Sequence, residues 1–131
     1  MEGMTLLVGS SEKSLELLQS LLQGAAGFSR CVTAKNGAEA RRILALEEYT
    51  LVIINTPLTD EPGIDLAIKA AQSTLAGVIL LIKADMADVV AQKVEESGVL
   101  VVAKPVLRQL FDQALRLSMT ARNRMLMQQN Q

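Results

Sequence analysis

The chain of 131 residues has no histidine and no tryptophan, and aromatic residues make up only 2% of it. Without histidine it lacks the commonest general base and the commonest zinc ligand. With so few aromatic rings it offers no surface on which nucleic-acid bases could stack. The single cysteine, Cys31, excludes an internal disulfide, and we expect it to be a small core side chain in a strand.

The net charge is also close to zero, because the chain has 13 basic and 14 acidic residues and therefore a formal charge of -1. This domain therefore lacks the excess of positive charge that is typical of DNA-binding domains. No apolar run approaches the ~18 residues that a membrane span needs, and the N-terminus lacks the basic start of a signal peptide. We expect a soluble, cytoplasmic protein without membrane contact. Its length and its 50% hydrophobic content predict one domain with a sizeable core.

The chain does contain five short apolar runs that alternate with helical patterns. The runs are continuous in the third, fourth and fifth predicted strands, which is typical of a parallel sheet with helices on both faces. The order predicts an α/β fold with a five-stranded, flavodoxin-like sheet of order 2-1-3-4-5. The predicted strands are Thr5–Val8, Phe28–Ala34, Leu51–Ile54, Val78–Ile82 and Val99–Ala103. Five helices are predicted. The first follows Ser11 and is closed by Gly24 and Gly27, and the second follows Asn36-Gly37 and ends near Glu47. The others are Ile64–Ser73, Met86–Glu96 (after a loop at Lys83–Asp85) and a last helix from Leu107 almost to the end.

Polar side chains follow two of these strands. Asn55 ends the third strand, and Ser10 and Ser11 follow the first. In the order 2-1-3-4-5 these two strands are neighbours, so the three side chains should converge at the carboxyl edge, where ligands bind in open α/β sheets. Hydroxyl and amide groups at this edge can form hydrogen bonds with one another.

Three motifs, taken in order, carry a resemblance to a known family. They are LVIINTPLTDEPGIDL around the third strand, AKNGAEARRIL at the second helix and VVAKPV at the fifth strand. Over residues 4–120 the chain resembles a bacterial response-regulator receiver domain. The resemblance implies an aspartate that accepts a phosphoryl group and an acidic pair that helps it hold Mg²⁺. It also implies a Thr or Ser and a Lys that bind the phosphoryl oxygens.

The family's functional positions fall on unusual residues in this chain. The phosphoacceptor position is Asn55, and the acidic pair falls on Ser10 and Ser11, or on Gly9 and Ser10 with a shift of one residue. The Thr/Ser position is Ile82, or Lys83 with the same kind of shift. Only the lysine, Lys104, is kept, followed by Pro105.

These substitutions predict a degenerate phosphoacceptor site. An amide oxygen is a poor nucleophile toward phosphorus, and two hydroxyls with an amide give Mg²⁺ no anionic ligand. We therefore expect a pseudo-receiver with no catalytic residue, no metal and no cofactor. Lys104 either contacts Asn55 directly or packs its stem and leaves its ammonium group in water at the rim.

The C-terminal part carries a narrower resemblance. The stretch VEESGVLVVAKPVLRQLFDQALRLSMTARNR, with the defective acceptor site, is similar to the receiver halves of ANTAR-type antiterminator regulators. The resemblance implies a receiver-like domain at residues 1–120 and a helix extension at residues 121–131. This extension would lead toward a C-terminal RNA-binding module that the present chain does not include, unless the protein is a stand-alone receiver.

The last helix carries an apolar stripe at spacings of three and four residues. Part of the stripe must cover the sheet. The remaining residues of the stripe are expected either to pair with a second helix in a dimer or to form a solvent-exposed face. The four arginines after Pro105 offer RNA contact by themselves as a further alternative, without accompanying aromatic rings. The residues assigned to the dimer helix are Leu110, Ala114, Leu117 and Ala121.

Three functions follow from these observations. The first is a signal-transduction domain that forms a homodimer and controls a C-terminal output by RNA-binding antitermination. The second is a flavodoxin-like domain that binds a nucleotide or flavin, with the Ser-rich GSSEKS stretch holding a phosphate at a helix N-terminus. The third is an enzyme that uses Asn55 and Lys104, with Lys104 as a base.

Overall fold

The computed structural model describes residues 3–23, 25 and 30–129, apart from the side chains of Ala121, Arg124, Met125 and Gln129. Strands and α-helices alternate along this part of the chain, and a short 3₁₀ helix, Glu95–Ser97, follows the fourth α-helix. The strands are β1 (Met4–Gly9), β2 (Arg30–Ala34), β3 (Leu51–Asn55), β4 (Gly77–Lys83) and β5 (Leu100–Lys104). The helices are α1 (Glu12–Leu22), α2 (Gly37–Leu46), α3 (Gly63–Ser73), α4 (Ala84–Val94) and α5 (Arg108–Gln129).

The strands form one parallel sheet with the order β2-β1-β3-β4-β5. This confirms the predicted α/β, flavodoxin-like architecture. The three central strands are apolar along their length because helices cover both of their faces.

Two apolar cores lie on the two faces of the sheet. Alternate residues of β3 illustrate the division, since Val52 and Ile54 point to one face and Leu51 and Ile53 to the other. The first face packs against α2, α3 and α4, and the second packs against α1 and α5. The register of the sheet thus decides which helices surround each residue at the carboxyl edge.

The loop after β3 is tied to the start of α2. The carboxylate of Asp60 accepts hydrogen bonds from the backbone N–H groups of Gly37 and Ala38, at 2.8 and 2.9 Å. These bonds lower the pKa of Asp60 and satisfy two donors that the helix itself leaves without partners. Next to it, Glu61 accepts two hydrogen bonds from Arg41, at 2.9 and 2.7 Å. Asp60 and Glu61 are therefore occupied in holding the loop.

Several predicted boundaries differ from the structure. The prediction of a loop at Lys83–Asp85 was wrong. Lys83 still pairs with Lys104 in the sheet, and α4 begins directly at Ala84. Strand β5 begins at Leu100, one residue later than predicted. Gly98, with a φ of 84°, provides the left-handed residue that ends the 3₁₀ helix before it.

The N-terminal half contains one correction and some untested predictions. Cys31 is exposed rather than part of the core, because β2 is an edge strand whose side chains are covered only in part. The predicted strand start at Phe28 and the predicted helix ends at Gly24 and Gly27 lie outside the described residues. In the described part of the chain, the helices are too short or too polar to cross a membrane.

We expect Asp60→Asn to lower the free energy of unfolding near pH 7, because an amide offers one acceptor oxygen to two N–H groups. The contribution of the carboxylate is complete above its unfolded pKa and is lost as the pH falls through the lowered folded value. Urea denaturation should therefore show a gap between the two proteins that shrinks toward about pH 3. The exposed Asp88→Asn serves as the control, and equal stability near pH 7 would contradict the role of Asp60.

We expect Ser118→Ala to raise the free energy of unfolding by about 1 kcal/mol. Ser118 is 2% exposed, and its hydroxyl has no hydrogen-bond partner among the described residues. Replacing it removes a buried polar group without opening a large cavity. The control is Thr120→Ala on the exposed side of α5, which should change stability by only a few tenths of a kcal/mol. A clear loss of stability in Ser118→Ala would show that the hydroxyl does have a partner.

Candidate functional site

Asn55 is the last residue of β3 and lies at the carboxyl edge of the sheet. It pairs with Gly9 of β1 on one side and with Leu81 of β4 on the other. Its side chain shares the sheet face of Leu51 and Ile53, which α1 and α5 cover. With an exposed fraction of only 5%, its amide group needs partners from the protein.

Both ends of the Asn55 amide have such partners. Its Nδ2 donates a hydrogen bond to the hydroxyl of Ser14 at 2.9 Å. Its Oδ1 accepts one from the ammonium of Lys104 at 3.1 Å, and the same ammonium donates to the backbone carbonyl of Thr56. Of the two arrangements left open for Lys104, the structure has the direct contact. A polar network thus joins α1, β3 and β5 across the intervening strand β4.

The hydroxyl in this network comes from Ser14 rather than from Ser10 or Ser11, which is a correction to the predicted convergence. Ser10 is exposed, and Ser11 caps α1 by accepting a hydrogen bond from the backbone N–H of Ser14 at 3.1 Å. The sequence held a sign of this role, because Ser14 lies one helical turn before the buried Leu18 and so faces the sheet.

Gly9 makes room for the Ser14 side chain. A Cβ at this position would lie 2.4 Å from the Ser14 hydroxyl oxygen. Any larger residue opposite Asn55 on β1 would therefore displace Ser14 from its contact. The absence of a side chain at Gly9 is therefore what allows Ser14, in the first turn of α1, to fill the space beside Asn55.

Ile82 does not join this network. It lies on the opposite face of the sheet from Asn55, and it packs against the core under α2, α3 and α4. Lys83, the alternative for the same family position, pairs with Lys104 in the sheet. Of the predicted site residues, the structure brings Asn55 and Lys104 together and leaves Ser10, Ser11 and Ile82 outside their contacts.

The environment of Lys104 disfavours its charge. Burial lowers the pKa of this lysine, and the neighbouring charge of Lys83 lowers it further. Its described acceptors are the amide oxygen of Asn55 and a backbone carbonyl, both of them uncharged. These dipoles hold the ammonium in place, while no carboxylate forms an ion pair with it in the described part of the chain.

The Mg²⁺ implied by the family resemblance does not fit these residues. Mg²⁺ is held through carboxylate oxygens in octahedral geometry. No group of three or more Asp, Glu, His or Cys side chains among the described residues could hold a metal ion. The oxygen of Asn55 already faces an ammonium group, which would repel a cation there.

The described structure gives little support to a nucleotide or flavin site at the same edge. Ser11, which would contribute to a phosphate site in GSSEKS, already caps its own helix. Among the aromatic residues, Tyr49 and Phe111 are buried in the cores and cannot enclose a flavin ring, while Phe28 lies outside the described residues.

Helix α5 has a buried side and an exposed apolar side. Phe111 and Leu115 pack on the sheet, whereas Leu110 and Leu117 are 49% and 59% exposed. Ala114 lies between these two sides. A groove of about 380 Å³ separates α5 from α4 above β5, and Leu110, Ala114 and Leu117 all line it. The side chain of Ala121 lies outside the described residues.

Arg108 was one of four arginines considered for RNA contact, and the structure gives it another role. It donates hydrogen bonds to the carbonyls of Ser20 and Gln23 at the end of α1, at 3.2 and 3.1 Å. It also lies 3.7 Å from the carboxylate of Asp112. Arg108 therefore links α5 to α1, because it supplies hydrogen-bond donors to carbonyl groups at the end of α1.

No model of a known protein family matches the sequence, and neither does any curated protein sequence. The structure, in contrast, is similar to many solved ones. The signal receiver domain of an HD domain-containing protein from Pseudomonas fluorescens Pf-5 is 26% identical with a TM-score of 0.80, over 95% of this chain and 91% of that one.

Two further solved structures show the same fold at lower identity. A response regulator receiver domain protein from Clostridium thermocellum is 21% identical with a TM-score of 0.77, over 94% of this chain and 98% of that one. A structure described as adenylate cyclase from Rhodopirellula baltica is 16% identical with a TM-score of 0.80, over 99% and 96% of the two chains. The strand order, the position of Asn55 and Lys104 and these similarities together show that the chain has the fold of a response-regulator receiver domain.

Proposed function

We propose that this chain is a signal-transduction receiver domain that works without phosphorylation and acts through self-association. The observation that carries the proposal is the pair of hydrogen bonds that Asn55 forms with Ser14 and Lys104. They leave the buried amide satisfied by the protein itself. No phosphoryl group or metal ion is required to complete the site.

The chemistry of the amide supports the first part of this proposal. The oxygen of Asn55 carries no formal charge, unlike a carboxylate oxygen, and it already accepts a hydrogen bond from Lys104. A phosphoryl donor would meet neither an anionic nucleophile nor a bound Mg²⁺ at this position. Phosphoryl transfer to Asn55 therefore lacks both of its chemical requirements.

The same substitutions also remove electrostatic repulsion. Carboxylates that share one pocket repel each other when no metal lies between them. Here a hydroxyl, an amide and one ammonium group form a connected chain of hydrogen bonds instead. Such a chain favours one arrangement of the carboxyl edge in the absence of any ligand.

We expect no phosphate on this protein after incubation with acetyl phosphate and Mg²⁺. Intact-mass spectrometry measures the result, with a phosphorylatable receiver domain as positive control. The variant with Asn55→Asp, Ser10→Asp and Ser11→Asp restores three carboxylates to the family positions. A gain of Mg²⁺ binding in this variant alone would assign the loss to these residues, whereas labelling of Asn55 in the unchanged protein would contradict the proposal.

The exposed stripe of α5 supports self-association. Leu110, Leu117 and Met127 of α5 are 49%, 59% and 66% exposed, and Leu107, directly before the helix, is 62% exposed. Together with the groove beside α4 they form an apolar surface whose spacing suits helix pairing with a second copy. Because α5 is 22 residues long, a paired helix would carry the association beyond the sheet.

We expect the protein to be a dimer that Leu110→Glu and Leu117→Glu together convert to a monomer, because buried glutamates would lack partners. Sedimentation velocity measures the change, and circular dichroism checks that the fold is kept. Leu46→Glu is the matched control, since Leu46 is 77% exposed on α2, away from α5. A monomeric unchanged protein, or a double variant that still dimerises, would contradict this surface.

We further propose that the output controlled by this association is RNA-binding transcription antitermination. Its support is the likeness of the stretch from Val94 to Arg124 to ANTAR-type regulators and the long α5 that would lead to a following module. The reading frame beyond Gln131 tests it. A three-helix RNA-binding module there would support the proposal, and a reading frame that stops at Gln131 or continues into an unrelated domain would contradict it.

A further inference from the structure

A cavity of about 550 Å³ lies between the loop after β3 and the beginning of α4, on the other side of Thr56 from the Asn55 network. Its volume falls in the range of small-molecule sites, roughly 300 to 1,000 Å³. Most of its surface is apolar. The apolar side chains that line it are Leu58, Ile64, Ile82, Met86 and Val90.

The acidic and the basic side chains around this cavity differ in whether they have partners within the protein. Asp60 and Glu61 are part of its wall, but Asp60 is bound to the start of α2 and Glu61 is paired with Arg41. The basic residues of the wall are Lys83 and Lys93, and neither forms an ion pair within the described chain. The groups left over to meet a ligand are thus two ammonium groups beside an apolar surface.

From this combination we infer that the cavity is a binding site for a small amphipathic carboxylate, with its apolar body against Ile82, Met86 and Val90 and its carboxylate at one of the two lysines, Lys83 or Lys93, which lie at the two ends of α4. An apolar ligand without charge would leave the lysines unused, and a small inorganic anion would leave the apolar wall in water. The ligand needs both parts to fit the wall.

The cavity is connected to the Asn55 network through one shared residue, Thr56. Thr56 lines the cavity, and its backbone carbonyl accepts a hydrogen bond from Lys104. Its hydroxyl donates to the carbonyl of Leu81 at 2.8 Å, which fixes it between β3 and β4. A molecule in the cavity would therefore touch the residue that helps to hold Lys104. This inference goes beyond the proposed function, and binding is measured independently of dimerisation and of phosphorylation.

The test uses 2-naphthoate as the probe, with 2-naphthamide as the neutral analogue and acetate as the anion without an apolar body. Calorimetry measures affinity, and ¹⁵N NMR spectra of the full chain locate the binding. We expect saturable binding of 2-naphthoate, with shifts concentrated at residues 56–64 and 82–93, and much weaker binding of the other two. The absence of saturable shifts at these residues, or equal affinity for 2-naphthamide, would overturn the inference.

Two variants sharpen this test. Lys83→Gln with Lys93→Gln should weaken 2-naphthoate binding by about tenfold or more, whereas Lys69→Gln, the same change on the exposed side of α3, should leave it within about twofold. Met86→Trp should fill the cavity and abolish binding, and it should fold because Met86 is 47% exposed. Binding that survives Met86→Trp unchanged would overturn the location of the site.

Discussion

The bond between the Lys104 ammonium and the Asn55 amide oxygen, 3.1 Å long, is the interaction on which the carboxyl edge of this protein depends. It spans β4 and links β3 to β5, and through Ser14 it extends to α1. The arrangement keeps a half-buried lysine beside neutral dipoles, although partial burial and Lys83 both lower its pKa. A lysine so placed ties β5 to the end of β3, because its ammonium donates both to the Asn55 amide and to the carbonyl of Thr56.

This network occupies the carboxyl edge of the sheet with a hydroxyl, an amide and one ammonium group. An uncharged amide oxygen that already accepts a hydrogen bond from an ammonium group offers neither an anionic nucleophile to phosphorus nor an anionic ligand to Mg²⁺. Under the proposed function and the further inference, the surfaces that would take part in signalling are the apolar side of α5 with its groove and the cavity bordered by Lys83 and Lys93. Both surfaces border α4, since Ala87 and Ala91 line the groove and Met86 and Val90 line the cavity.

The loop after β3 shows how function and stability share residues. Asp60 and Glu61 follow the acceptor position, yet both carboxylates point away from Asn55 and bind α2. They hold the loop in the shape that forms one wall of the cavity. In the same way Arg108, one of the four arginines after Pro105, joins the end of α1 to α5. Charged residues near the edge therefore build the framework around the site.

The sequence alone determined the alternation of strands and helices, the parallel sheet and the two members of the site that end their strands, Asn55 and Lys104. The strands, the sheet and the place of Asn55 follow from apolar runs and right-handed connections, which are local and general, whereas Lys104 was identified through the resemblance of VVAKPV to the receiver family. Tertiary structure decided that Ser14 and not Ser10 or Ser11 meets Asn55, because the rotation of α1 and the room left by Gly9 are set by packing. It also decided that Ile82 faces the opposite core and that Cys31 is exposed. Both follow from a one-residue alternation in the sheet and from the place of β2 at its edge, which only the assembled fold fixes.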